Sequence, residues 1–136
     1  MRQTRGDLWD PDARERGSAP AEFVLVGGLL TLLTLAVLQF GLAVYIRNVV
    51  HDAAVEGAHH AALVGATPAE GIERTREVIG HAVGAAYAEH VSAAYTRVAG
   101  VPALTITVRT TLPLVGLLGA PRGMAVSASA PVETLP

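Results

Sequence analysis

No cysteine and no lysine occur among the 136 residues. The first absence excludes both a disulfide framework and a thiolate metal site, and it leaves the redox compartment unread. The second leaves ten arginines against twelve acidic residues, a net charge of -2. There is no cationic excess to neutralise a phosphate backbone, so nucleic acid is not an expected partner. Charge of either sign is scarce: 16% of residues are charged, against roughly a quarter in ordinary globular domains. With 51% hydrophobic residues and a mean hydropathy of +0.41, the apolar excess must face lipid or other chains. A soluble enzyme is disfavoured, and the length allows one small domain at most.

What the chain does have is one long apolar run. Phe23 to Ile46 contains 24 residues without a charge, which as a helix reach about 36 Å at 1.5 Å per residue, against a hydrocarbon core of about 30 Å. A secretory signal would be shorter and would end in a small-x-small cleavage site, whereas this run continues into Arg47-Asn48, so a retained span is expected. Arg14 and Arg16 precede it, while Arg47 is soon followed by Asp52 and Glu56. The slight arginine excess on the leading side predicts a cytoplasmic N-terminus and a single-pass protein of the cell membrane with its bulk outside the cytoplasm.

Residues 1–17 mix four arginines with four acidic residues, lack apolar periodicity and end in Gly17, the pattern of a short tail. After Gly17 come Ser18, Ala19, Pro20 and Ala21, then Glu22 directly before Phe23. A carboxylate at the head of an apolar helix has two explanations. It complements the positive end of the helix dipole, which contributes about 0.3 to 1 kcal/mol, or it awaits a charged partner.

Gly17, four residues, Glu22-Phe23 and a long apolar helix resemble the prepilin-type processing site of type IV pilins and pseudopilins. Phe40-Gly41, the Arg47-Asn48-Val49-Val50 stretch and Ala53 to Ala58 extend the likeness to the TadE-like proteins of tight-adherence (Tad, or Flp) pilus systems, over about residues 16–64. One departure is His59, where the family carries a basic residue. The resemblance implies cleavage between Gly17 and Ser18 by a membrane-embedded prepilin peptidase acting on the cytoplasmic side. It also implies that Glu22, with Phe23 beside it, acts in assembly by meeting the α-amino group of a neighbouring pilin-like subunit. Partners implied are that peptidase, other pilin-like subunits, the pilus assembly platform and the lipid bilayer. No cofactor is implied.

Beyond the span, Ala-rich sequence predicts that the first helix continues to Val64, with Gly65 as its stop. Asp52, Glu56, His59 and His60 lie at spacings that allow one shared face, but with neither cysteine nor an HExxH pattern no metal site is expected. Thr67-Pro68-Ala69-Glu70 forms a capping box with proline at the first helical position. Ile72, Ile79, Val83, Tyr87, Val91, Ala94 and Val98 recur at helical steps, which predicts one amphipathic helix from Pro68 to Ala99, stopped by Gly100. Tyr87 and Tyr95 are expected at its core edge.

After Gly100 the period becomes two. Leu104, Ile106, Val108 and Thr110 alternate with Thr105, Thr107, Arg109 and Thr111, a strand ended by Pro113. Met124, Val126, Ala128 and Ala130 form a second, antiparallel to the first. The apolar connection from Leu114 to Ala120 has two explanations, burial under the second helix or contact with lipid or a partner subunit.

The expected fold class is therefore α+β: a long N-terminal transmembrane helix extending outward, a second amphipathic helix and a small antiparallel hairpin or sheet. Its parts are a cytoplasmic leader (1–17), the transmembrane helix and its extension (18–65) and a small exported domain (66–136). An exported unit so small is marginal alone, which favours an assembly component. Three function classes follow. The first is a TadE-like minor pilin or pseudopilin for assembly of a Tad pilus or related secretion apparatus. The second is a single-pass envelope accessory protein that never enters a filament. The third, an enzyme, lacks any nucleophile elbow, phosphate loop or paired-carboxylate motif, so no catalytic residue is expected.

Overall fold

The structure is a computed structural model of the chain and describes residues 18–112 and 123–133. The leader with Gly17, and the connection from Leu114 to Ala120, lie outside the described residues. In order, the elements are α1 (Ser18–Ala62), α2 (Pro68–Ala82), a short 3-10 helix (Ala85–Ala88), β1 (His90–Val98), β2 (Val101–Thr111) and β3 (Gly123–Pro131). Two compact units divide the chain, residues 1–38 and residues 39–136.

The described part of the first unit is α1 up to Leu38. Its leucines and valines are exposed among the described residues: Leu29 is 63% exposed and Leu33 59%. Such a surface is unfavourable in water and suited to hydrocarbon, and α1 is long and apolar enough to cross a membrane. The chain thus fits a single-pass membrane protein. Thr31 and Thr34, the two threonines inside the run, donate to the carbonyls of Gly27 and Leu30 at 2.9 and 2.8 Å. Neither hydroxyl proton is left unpaired toward lipid.

In the second unit the outer turns of α1 carry a buried stripe, Ile46, Val50, Ala53, Ala54, Gly57, Ala58, Ala61 and Ala62. Small side chains dominate it, so neighbours approach closely. The capping box at Thr67 opens α2 as expected: the Thr67 amide donates to Glu70 Oε2 at 2.8 Å and the Glu70 amide to Thr67 Oγ1 at 3.3 Å. Where α2 crosses α1, Gly57 faces Gly71 and Thr75. A Cβ built on Gly57 would lie 2.6 Å from the Gly71 carbonyl oxygen and would collide with the Thr75 hydroxyl, and one on Gly71 would lie 2.7 Å from the Gly57 carbonyl oxygen. Buried Thr75 lies between the helices. Its hydroxyl is 2.8 Å from the Gly71 carbonyl and 3.3 Å from the Ala53 carbonyl of α1, with its one proton to share between them. Arg74 reaches across to Glu56, with Nη2 2.6 Å and Nε 2.8 Å from the same carboxylate oxygen.

The second helix ends much earlier than its apolar steps predict. It stops at Ala82; Gly84 has φ +110°, and the Val83 and Gly84 amides both donate to the Ile79 carbonyl. Glycines at 80 and 84 weaken helix there, and the β-branched stretch beyond gains a full antiparallel ladder against β2, Val91 opposite Val108 through Val98 opposite Val101. Ala99 and Gly100, with φ of +50° and +83°, are not a helix stop but the two-residue turn of a hairpin whose twist demands positive φ at both positions. The sheet therefore has three strands, β1-β2-β3, not two. The antiparallel pairing of β2 with β3 is as expected, with Ile106 opposite Ala128.

Leu104, Ile106 and Val108 face inward with Met124, Val126, Ala128 and Ala130, and Ile46, Val50, Ala53, Ala54, Ile79 and Val91 belong to the same core. Outward, the hydroxyls pair across strands: Thr96 with Thr105 at 2.6 Å, Thr105 with Ser129 at 2.7 Å and Thr107 with Ser127 at 3.0 Å. At the far end of β3 the Glu133 amide donates to the Ala62 carbonyl, the last of α1, at 3.1 Å.

Three substitutions test this packing, each read as a urea midpoint on the detergent-solubilised full chain. Gly57→Ala forces the crossing apart and lowers stability by about 1 to 3 kcal/mol. Gly80→Ala, with open space around its Cβ, raises it by up to about 1 kcal/mol. Ala99→Asn, which tolerates the left-handed region at lower cost, stabilises the hairpin by roughly 0.5 to 1 kcal/mol.

Candidate functional site

Ser18 is the first residue of α1, and its hydroxyl donates to Glu22 Oε1 at 2.6 Å. Four residues apart on a helix, the two side chains share one face. The carboxylate thus reaches back over the first turn, toward the residue that cleavage after Gly17 would make N-terminal. Phe23 is 79% exposed and opens the lipid-facing surface. Between Glu22 and Arg47 α1 carries no charged side chain, so the carboxylate stands alone at one end of the apolar run and the guanidinium at the other. Of the residues expected to matter, the structure thus brings Ser18 and Glu22 together and sets Phe23 beside them; Gly17 lies outside the described residues.

Of the other polar groups singled out in the sequence, Glu56 serves the fold of the second unit. Glu56 is taken by Arg74, which also binds Glu77 at 3.0 Å. The hydrogen bonds that Arg74 donates to Glu56 and then to Glu77 raise its pKa further above its already high ordinary value. A raised guanidinium pKa contributes stability that is lost only as pH rises through it, so this group gives no pH dependence at ordinary pH. His51 lies 3.7 Å from Asp52. Among the described residues no group of three or more His, Asp or Glu side chains is placed to hold a metal ion. Tyr87 is half-buried against the core, but Tyr95 is exposed on β1 rather than at a helix edge.

Two adjoining hollows at the start of β3 were not foreseen. One, of about 400 Å³, is lined by Glu89, His90, Arg109, Thr110 and Thr111. The other, of about 380 Å³, is lined by Phe40, Val44, Arg47, Leu112 and Met124. Gly123, Met124 and Ala125 border both. Their composition depends on strand register, which sets Arg109 opposite both His90 and Ala125; nothing in the linear spacing of Arg47 and Arg109 announces it.

A helix of this length and apolarity, continuing into a small α+β domain, fits the class of single-pass membrane proteins. Within it, residues 17–59 match the family described as TadE-like protein. The match runs from Gly17 to His59, about a third of the chain, agrees with the resemblance to TadE-like proteins, and supports a protein associated with a Tad pilus. The chain matches no curated protein and no solved structure.

Proposed function

We propose that the chain is a minor pseudopilin of a Tad pilus or related secretion apparatus: a structural component, not a catalyst. It is held with its N-terminus in the cytoplasm, cut between Gly17 and Ser18 by a prepilin peptidase, and passed to the assembly platform and other pilin-like subunits. The observation that carries this reading is the head of α1. The TadE-like match begins at residue 17 and takes in Glu22 and Phe23, and the helix starts at Ser18 with the Glu22 carboxylate folded back onto it.

After cleavage the Ser18 residue bears an α-ammonium. Within one subunit the Glu22 side chain already lies on the same helical face, so self-neutralisation keeps the charge tolerable at the membrane boundary until assembly. Between subunits, a charge pair withdrawn from water holds because breaking it strands one partner, at a cost of several kcal/mol. Glu22 is thus suited to exchange an internal partner for an external one.

Two experiments test this. Mass spectrometry of the membrane-extracted chain from a host with the cognate peptidase is expected to find Ser18 at the N-terminus; recovery of full-length chain alone would overturn processing. Glu22→Gln is expected to insert and be cleaved normally but to lose crosslinking to the major pilin. Wild-type crosslinking and wild-type filament counts in that variant would favour an envelope accessory protein that stays out of the filament.

A further inference from the structure

The end of the sheet at which β2 finishes and β3 begins lies against the last turns of the apolar run. Leu112 and Met124 share a hollow with Phe40, Val44 and Arg47 of α1. The run is 24 residues long, about 36 Å as a helix, and a hydrocarbon core of about 30 Å is filled by its first 20 or so residues. Ala43 to Arg47 therefore fall at the headgroup level, and this end of the sheet falls there with them.

The side chains at this end match a lipid surface in kind and order. Phe40 (72% exposed) and Val44 (41%) are exposed members of the apolar run, and half-buried Leu112 lies next to them. Beside these apolar groups stand two exposed arginines, Arg47 in one hollow and Arg109 in the other. Neither has an ion pair or side-chain hydrogen bond among the described residues, whereas Arg74 and Arg76 are both paired with glutamates. One carboxylate, Glu89, borders the second hollow, so the arginines outnumber the acids here in a chain whose net charge is negative. Apolar side chains on the membrane side and unpaired guanidiniums around them suit acyl chains below and phosphates above.

We infer that this end of the exported domain is a phospholipid-docking surface, with acyl chains against Phe40, Val44 and Leu112 and headgroup phosphates on Arg47 and Arg109. The bilayer is the occupant because Phe40 and Val44 belong to the same uncharged run of sequence as the span. Docking fixes the domain against the membrane before assembly and must be released for the subunit to leave it. The inference rests on the reading of α1 as a span.

The test uses the full chain reconstituted at high lipid-to-protein ratio in vesicles of phosphatidylcholine, with or without equimolar phosphatidylglycerol. The native Trp9 is replaced (Trp9→Phe), and a single probe is placed by Thr111→Trp at an exposed position or, as a second variant, by Leu112→Trp. Circular dichroism confirms that each is folded. The expected result is loss of probe emission with lipid carrying a doxyl group near the headgroup, stronger with phosphatidylglycerol. Arg109→Gln is expected to reduce that gain to the level seen in phosphatidylcholine alone. A probe open to aqueous acrylamide and indifferent to doxyl lipid overturns the inference, and so does quenching that appears only when protein is crowded, which would make a second copy the occupant. Retention in the vesicles through alkaline carbonate tests the span separately: a retained protein without quenching overturns docking alone, and an extracted protein overturns both readings.

Discussion

The α+β domain depends on the closeness of two helices. At Gly57 and Gly71 the backbones of α1 and α2 approach so nearly that neither position has room for a Cβ, and Thr75 occupies the crossing with a hydroxyl that serves both helices. The alanine stripe of α1, which buries little area per residue, becomes adequate only because small side chains let the second helix and the sheet come close. Ile79 then meets Val50 and Ile106 in one core. A domain this small has few large side chains to bury, and it compensates by approach distance. The pairing of Glu56 with Arg74 sits at the rim of the same crossing and fixes its register more than its energy, since both groups are half exposed.

Where period and local chemistry agreed, sequence reasoning placed elements well. The capping box at Thr67, the alternation of Leu104, Ile106 and Val108, and the antiparallel partner at Met124 to Ala130 all have strong local causes. The extension of the second helix to Ala99 failed for a geometric reason. A step of four is nearly one helical turn and is also an even number of strand residues, so Val83, Tyr87 and Val91 fit either period. The step of three from Val91 to Ala94 is what separates the two, because it changes face in a strand. Val91 is buried and Ala94 exposed. The Ala99-Gly100 pair, flanked by β-branched residues, carried the signal of a hairpin turn.

The head of α1 was legible for a different reason. Ser18, Glu22 and Phe23 are neighbours along one helix, so spacing alone brings them together. Arg47 and Arg109 are the opposite case. They stand more than sixty residues apart, and only the pairing of three strands and the packing of the sheet along α1 put them at one end of the domain. Sites built within an element are readable from its period; sites built across elements wait for the register.

The direction of β3 has a mechanical meaning. It begins beside Phe40 to Arg47 and its far end is tied to the terminal carbonyl of α1 by Glu133, so strand and helix run the same way. A pull transmitted along the helix loads the interface between them lengthwise, across the whole row of contacts at once, rather than opening it like a zipper from one end. An anchored subunit drawn out of a membrane by its helix would bring its domain along intact.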